Sequence, residues 1–219
     1  MKRALLFITI FCVSISPVVG GGKWVIAKRG SGITVYNRPV AGSPMKELKA
    51  TGIINAPLEV VWEVLYDNSR WKIWFADCIE QRVIKKTSAM QKVVYHVVDV
   101  PWPIKDRDTV ALVNYTKDFA KGIVVVRVRS IPALEAKKYN MEGVTSKNKR
   151  IRMPKMFSNF TAKRLGPSKK RFTYHAHAEP GVALPAWILN LFAKSQPYKT
   201  LKNLNKEAGK ELYKKRAEL

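Results

Sequence analysis

Two alternating apolar runs, Val93–Val98 and Thr109–Val113, are joined by Pro101-Trp102-Pro103-Ile104-Lys105-Asp106-Arg107-Asp108, and this junction limits the fold more than any other stretch of the chain. Proline fixes φ and has no N–H to give to a sheet ladder, so the runs read as two strands with a stiff elbow between them. Successive side chains on a strand point to opposite faces. The charges entering the second strand therefore divide between faces, which places Arg107 or one of its flanking acids toward whatever the sheet encloses.

The same alternation recurs downstream. Val124, Val126 and Val128 alternate with Val125, Arg127 and Arg129; Ile151 and Met153 with Arg150 and Arg152; Phe172, Tyr174 and Ala176 with Arg171, Thr173 and His175. These segments predict one antiparallel sheet with a basic, wet outer face. Trp24–Ala27, Ile33–Tyr36, Glu47–Ile54 and Cys78–Ile84 are further strand candidates. Between them Asn55 is placed to cap a helix with Pro57 in its first turn, whose stripe is Leu58, Val61, Trp62 and Leu65. Trp71, Trp74 and Phe75 predict a short helical turn against the sheet.

After Glu179-Pro180-Gly181 the period becomes helical. Leu184, Trp187, Ile188, Leu191 and Phe192 form a stripe that continues through Tyr198, Leu201, Leu204 and Ala208, with Lys194, Lys199, Lys202, Lys206 and Lys210 on the other faces. Pro197 inside this pattern predicts a kink or restart, a cost of about 3 kcal/mol unless the bend is accommodated. The class is α+β. A long amphipathic helix over a curved sheet either covers a solid core or roofs a ligand cavity, and periodicity alone leaves both open.

Lys2 and Arg3 precede a mostly apolar stretch from Ala4 to Val19, too short and too soon interrupted by Ser14, Ser16 and Pro17 for a membrane span. Residues 1–20 are read as a signal peptide and residues 21–219 as a single domain, exported to the periplasm or secreted by a bacterium. An uncleaved anchor is the alternative. The chain has 40 Lys and Arg against 16 Asp and Glu, a formal charge of +24. Such a charge attracts anionic surfaces, and export removes nucleic acid from the expected partners. Cys78 would be the sole cysteine of the mature chain, leaving no internal disulfide, and it reads as a small buried hydrophobe.

Catalytic patterns are missing. There is no Gly-rich phosphate loop, nucleophile elbow or His-Glu-x-x-His helix. His175 and His177 share strand spacing but have no third ligand in view, so they read as surface histidines and no metal is expected.

Trp71-x-x-Trp74 followed by Cys78, Pro101-Trp102-Pro103 leading to Arg107-Asp108, Ile151-Arg152-Met153, and Pro180-Gly181-x-x-Leu184-Pro185-x-x-x-x-Asn190 resemble, in order and spacing, the steroidogenic-acute-regulatory-related lipid-transfer (START) domains, bacterial exported type. The likeness covers about residues 22 to 205. Val182, where bacterial relatives often carry a second glycine, and Phe160, where tryptophan is common, depart from the pattern. The resemblance implies a helix-grip fold, a curved antiparallel sheet wrapped around a long C-terminal helix with an internal cavity for one lipid. It also implies a carboxylate–arginine pair on the cavity wall, matched here by Asp77 and Arg107. Tyr95, Met153, Trp187 and Leu191 complete the expected ligand-binding set.

The expected function is non-enzymatic binding and transfer of a sterol-like or acyl lipid in the cell envelope, by a monomer without cofactor that touches anionic membranes transiently. Two alternatives stand beside it. One is a cyclase or hydrolase on the same superfamily, with Asp77, His96 or Tyr95 as its visible acid–base groups. The other is a basic envelope scaffold with a solid core.

Overall fold

Alternation in the sequence becomes alternation of burial in the computed structural model, which describes residues 22–139 and 149–218. The expected signal segment lies outside the described residues. Strands β1 (Val25–Gly30), β2 (Ile33–Arg38), β3 (Glu47–Ile54), β4 (Cys78–Ser88), β5 (Gln91–Val98), β6 (Arg107–Asp118), β7 (Ile123–Ser130), β8 (Ile151–Arg152), β9 (Met156–Gly166) and β10 (Lys169–Ala178) build a 10-stranded sheet. Its order is β1-β2-β3-β10-β9-β7-β6-β5-β4, with every neighbour on this path antiparallel. Val124, Val126, Val128, Phe172, Tyr174 and Ala176 are buried, while Arg127, Arg129 and Arg171 are exposed, so the sheet has the expected apolar inner and basic outer faces.

Ile151-Arg152 departs from the antiparallel expectation. β7 reaches only Ala111 of β6, which leaves the start of β6 with a free edge, and β8 fills it in parallel, Arg107 opposite Ile151 and Asp108 opposite Arg152. Arg150 and Arg152 are accordingly not free on a wet face. Arg152 forks onto the fully buried Asp108 at 2.8 and 3.2 Å, and Arg150 bonds Glu80 at 2.9 Å. Gly181, at φ +81°, lies against this strap; a Cβ there would stand 2.7 Å from the Arg152 carbonyl oxygen.

Helix α1 (Leu58–Tyr66) buries its stripe Leu58, Val61, Trp62 and Leu65 as expected. Its N-cap is Pro57, and Asn55 does not cap it: the Asn55 backbone N–H instead donates to Asn205 Oδ1 at 3.0 Å. The helical turn α2 (Trp71–Trp74) sends its rings into an aromatic cluster with Phe75, Phe160 and Tyr174, the last two stacked 4.9 Å apart. The short helix α3 (Ala133–Lys137) lies on the other face of the sheet over a separate small core of Val93, Tyr95, Val97, Val110 and Ile131.

Helix α4 (Ala186–Ala208) runs through Pro197 as one element rather than restarting there, and α5 (Glu211–Ala217) follows it. Pro197 is buried and the helix packs along β2 and β3, so tertiary contact offsets the hydrogen bond that the proline removes. Leu201, Leu204 and Ala208 enter the main core, and Gly52 of β3 lets Leu201 approach: a Cβ at Gly52 would lie 3.3 Å from Leu201 Cδ2. Truncating Leu204, which is fully buried, should leave a cavity under this end of the helix. Leu204→Ala is expected to lower the unfolding free energy by about 2–5 kcal/mol in urea titration.

Candidate functional site

Leu201, Leu204 and Ala208 of the C-terminal half of α4 join the main core, while in its N-terminal half Phe192 and Gln196 line a cavity, Gln196 donating to the Ala76 carbonyl at 3.3 Å. Between them and the inner face of the sheet lies this open-mouthed cavity, its atom-free space about 730 Å³ with the adjoining solvent included. Its wall combines Leu48 of β3, Val98 and Arg107 at the elbow, Met153 and Met156 around β8 and β9, Tyr174 and Ala176 of β10, and Pro180 and Leu184 before the helix. The wall is mainly apolar. Beyond a neck formed by Phe75, His96, Met156 and Ser158, which border both spaces, lies a much smaller inner chamber, bounded by Trp71, Gln81, Val94, Thr109, Ala111, Val128 and Phe160.

Arg107 is the charged residue most deeply set in this wall, at 3 % exposure. The strand period turns it inward while Asp108 turns outward, and the elbow folds back so that the Lys105 carbonyl accepts from Nη1. Nε donates to the Pro180 carbonyl at 3.3 Å, joining the elbow to the segment leading into α4. Nη2 is buried and has no partner. Burial holds the Arg107 pKa below its ordinary value. A guanidinium short of one acceptor in an oily wall is costly until something supplies the acceptor.

Asp77, expected as its partner, does not meet it. Asp77 follows α2 at φ +64°, where its carbonyl accepts from the Asp99 N–H at 2.7 Å, and its half-buried carboxylate is pushed up by burial and has Lys199 and Asp99 as its electrostatic neighbours. Met153 lines the cavity with Arg107. Tyr95 does not, because β5 turns it to the opposite face, where its hydroxyl donates to Asp108 at 2.8 Å and accepts from Arg150 at 3.0 Å. Trp187 is 52 % exposed, and Leu191 is half-buried outside the lining. Ile188, fully buried, and Phe192, in the lining, take the inward positions of these turns, so Trp187 and Leu191, one residue earlier, are rotated away from the cavity.

Three lining groups escaped the sequence reading as a set. His177 is buried rather than on the surface, its Nε2 2.8 Å from Glu179 and its Nδ1 unpartnered, while His175, two residues back on β10, is half-buried beside Trp24, Phe157 and Glu47, and both rings contact Phe157. His96 and Gln81 face inward from β5 and β4. Strand parity was the signal available for them, and it became usable only once the pairing of β4 with β5 was known.

His96 Nδ1 lies 2.7 Å from Gln81 Oε1 and 3.5 Å from Cys78 Sγ. Burial lowers the His96 pKa to about 4 and raises that of Cys78 to about 12, so thiol and imidazole are both neutral. Nucleophilic chemistry needs the reverse, a thiolate activated by a basic or charged imidazole. Among the described residues no cluster of His, Cys, Asp and Glu gathers as metal ligands would.

The START-domain model matches residues 19–215, and the chain belongs to that family. Over 211 residues it is 28% identical to an uncharacterized protein of Pseudomonas aeruginosa, spanning 95% of this chain and 99% of that one. It is 26% identical over 191 residues to the phosphatidylcholine transfer protein of Mus musculus, covering 87% and 86% of the two chains. A STAR-related lipid transfer protein fragment from Xanthomonas axonopodis superposes with a TM-score of 0.70 at 28% identity, over 85% of this chain and 99% of that one. Human STARD10 shares the fold, with a TM-score of 0.72 at 22% identity over 88% and 76%. The architecture is the helix-grip fold of these neighbours, and the family implies lipid binding or transfer.

The buried His96 gives a pH signature. An unfolded His96 regains a pKa near 6.5, so below that pH the unfolded chain takes up a proton that the folded chain refuses. The stability this site contributes is complete above pH 6.5 and is lost as pH falls toward 4. From about pH 7.5 to about 5 it should cost about 2 kcal/mol, and His96→Phe should flatten that part of the urea-derived stability profile.

Proposed function

We propose that this chain is a non-enzymatic carrier that holds one lipid in the cavity with its polar head at Arg107 and exchanges it at anionic membranes of the cell envelope. The unpartnered Arg107 Nη2 in an apolar wall carries the reading. Guanidinium N–H groups suit phosphate or carboxylate oxygens, and a buried charge strengthens such a bond. Similarity to phosphatidylcholine transfer proteins favours a phosphate-bearing acyl lipid over a sterol. Methylenes buried along the cavity, at roughly 0.8 kcal/mol each, would supply most of the affinity. Export rests on Lys2, Arg3 and the apolar stretch that follows them.

Protein purified without detergent is expected to carry one lipid per chain by native mass spectrometry with extraction. An empty protein that binds anionic polymer in a salt-sensitive way would replace the carrier with the scaffold. Arg107→Leu should keep the capture of acyl chains but lose the preference for phosphate-bearing heads; unchanged head-group selection at full stability would remove Arg107 from the site.

The rim supports membrane contact. Trp102, at the tip of the elbow, is 90 % exposed, Val182 and Trp187 stand exposed beside Leu184, and Lys46 and Lys105 are exposed nearby in sequence to the lining elements. Indole rings favour the membrane interface, and each well-placed Lys adds about 1 kcal/mol on an anionic surface. Trp102→Ala should weaken binding to anionic vesicles roughly fivefold or more in sedimentation assays while leaving lipid occupancy in solution unchanged.

A further inference from the structure

The inner wall is not uniformly oily behind Arg107. In the register of β4, β5 and β6, Cys78, Val98 and Arg107 form one cross-strand row, and the next inward-facing row is Gln81, His96 and Thr109. This second row stands two residues further along β6, about 7 Å deeper than Arg107. All three of its side chains bound the inner chamber, and His96 also borders the neck. Apolar Val94 and Ala111 follow it.

The hydrogen bonding of this row is incomplete. Gln81 Oε1, 2.7 Å from His96 Nδ1, can only accept, which assigns the His96 proton to Nδ1 and a lone pair to Nε2, and Gln81 Nε2 is a buried donor without a partner. Thr109, fully buried, reaches only the carbonyl of its own neighbour, at 3.3 Å. Buried polar groups are nearly always satisfied, so a row missing one acceptor and one donor beside an apolar chamber fits a ligand group that supplies both. A hydroxyl does. A carboxylate supplies no donor, and no cation in the chamber wall would balance its charge.

We propose that the row Gln81–His96–Thr109 selects lipids carrying an uncharged hydroxyl about 7 Å inside the polar head, so that the preferred ligand is a hydroxylated acyl lipid. The hydroxyl oxygen accepts from Gln81 Nε2 and its proton goes to His96 Nε2. This rests on the lipid-carrier reading and adds a second polar subsite to it.

The test is competition binding, read by native mass spectrometry, of hexadecanoic acid against its monohydroxy positional isomers. The wild-type protein is expected to favour one short run of positions by roughly two- to tenfold over the unsubstituted acid, the range of a single net hydrogen bond. Gln81→Leu and His96→Phe, each close in size to the residue replaced, should erase that preference and retain affinity for hexadecanoic acid. Equal binding of all isomers by the wild type, or a preference that survives both variants, would overturn the subsite and leave the carrier standing. No binding of any acid, with no lipid co-purifying, would overturn the carrier and the subsite together.

Discussion

The structure depends on a helix that packs into the core at one end and lines a hollow at the other. Leu201, Leu204 and Ala208 anchor the C-terminal half of α4 in the core beside β3, where Gly52 permits close approach. The same helix, continuous through Pro197, lines the cavity with Phe192 and Gln196 toward its other end. Dense packing is the ordinary condition of a protein interior, so a hollow survives only where rigid elements on both sides cannot collapse into it. Here the elbow, the β8 strap and the aromatic cluster of Trp71, Trp74, Phe75 and Phe160 hold the walls apart.

Arg107 turns that hollow into a site. It ties the elbow to the loop before α4 through the Lys105 and Pro180 carbonyls, and it keeps one N–H spare. One residue therefore couples the geometry of the mouth to recognition within it. Asp108, its neighbour on the opposite face, anchors Arg152 and with it the strap against which Gly181 turns. Adjacent residues on one strand thus serve the two faces of the sheet, one facing ligand space and the other closing a structural ion pair.

Much of this was legible from residue order. Strand alternation identified β3 to its ends and both faces of β7 and β10, and the elbow picked out Arg107 because prolines announce where a ladder stops. The helical stripe located α4 but not its rotation, so Trp187 and Leu191 were expected inside although Ile188 and Phe192 take the inward positions. Tyr95 was misplaced for a different reason: its chemistry suits a binding site, yet the parity of β5 sends it to the small core under α3. Asp77 was matched to Arg107 by motif position, and motif position does not specify the left-handed turn that aims its carboxylate elsewhere.

Local pattern, then, determined which segments are strands and helices, which of their faces are apolar, and that a cation enters a strand beside a rigid turn, because those properties follow from φ restriction and side-chain periodicity. Tertiary structure decided what the cation meets, where the helix leaves the core, and that Gln81, His96 and Thr109, far apart in sequence, stand in one row. Strand register and the separation of packed layers are collective outcomes of the whole chain, and no window of residues contains them.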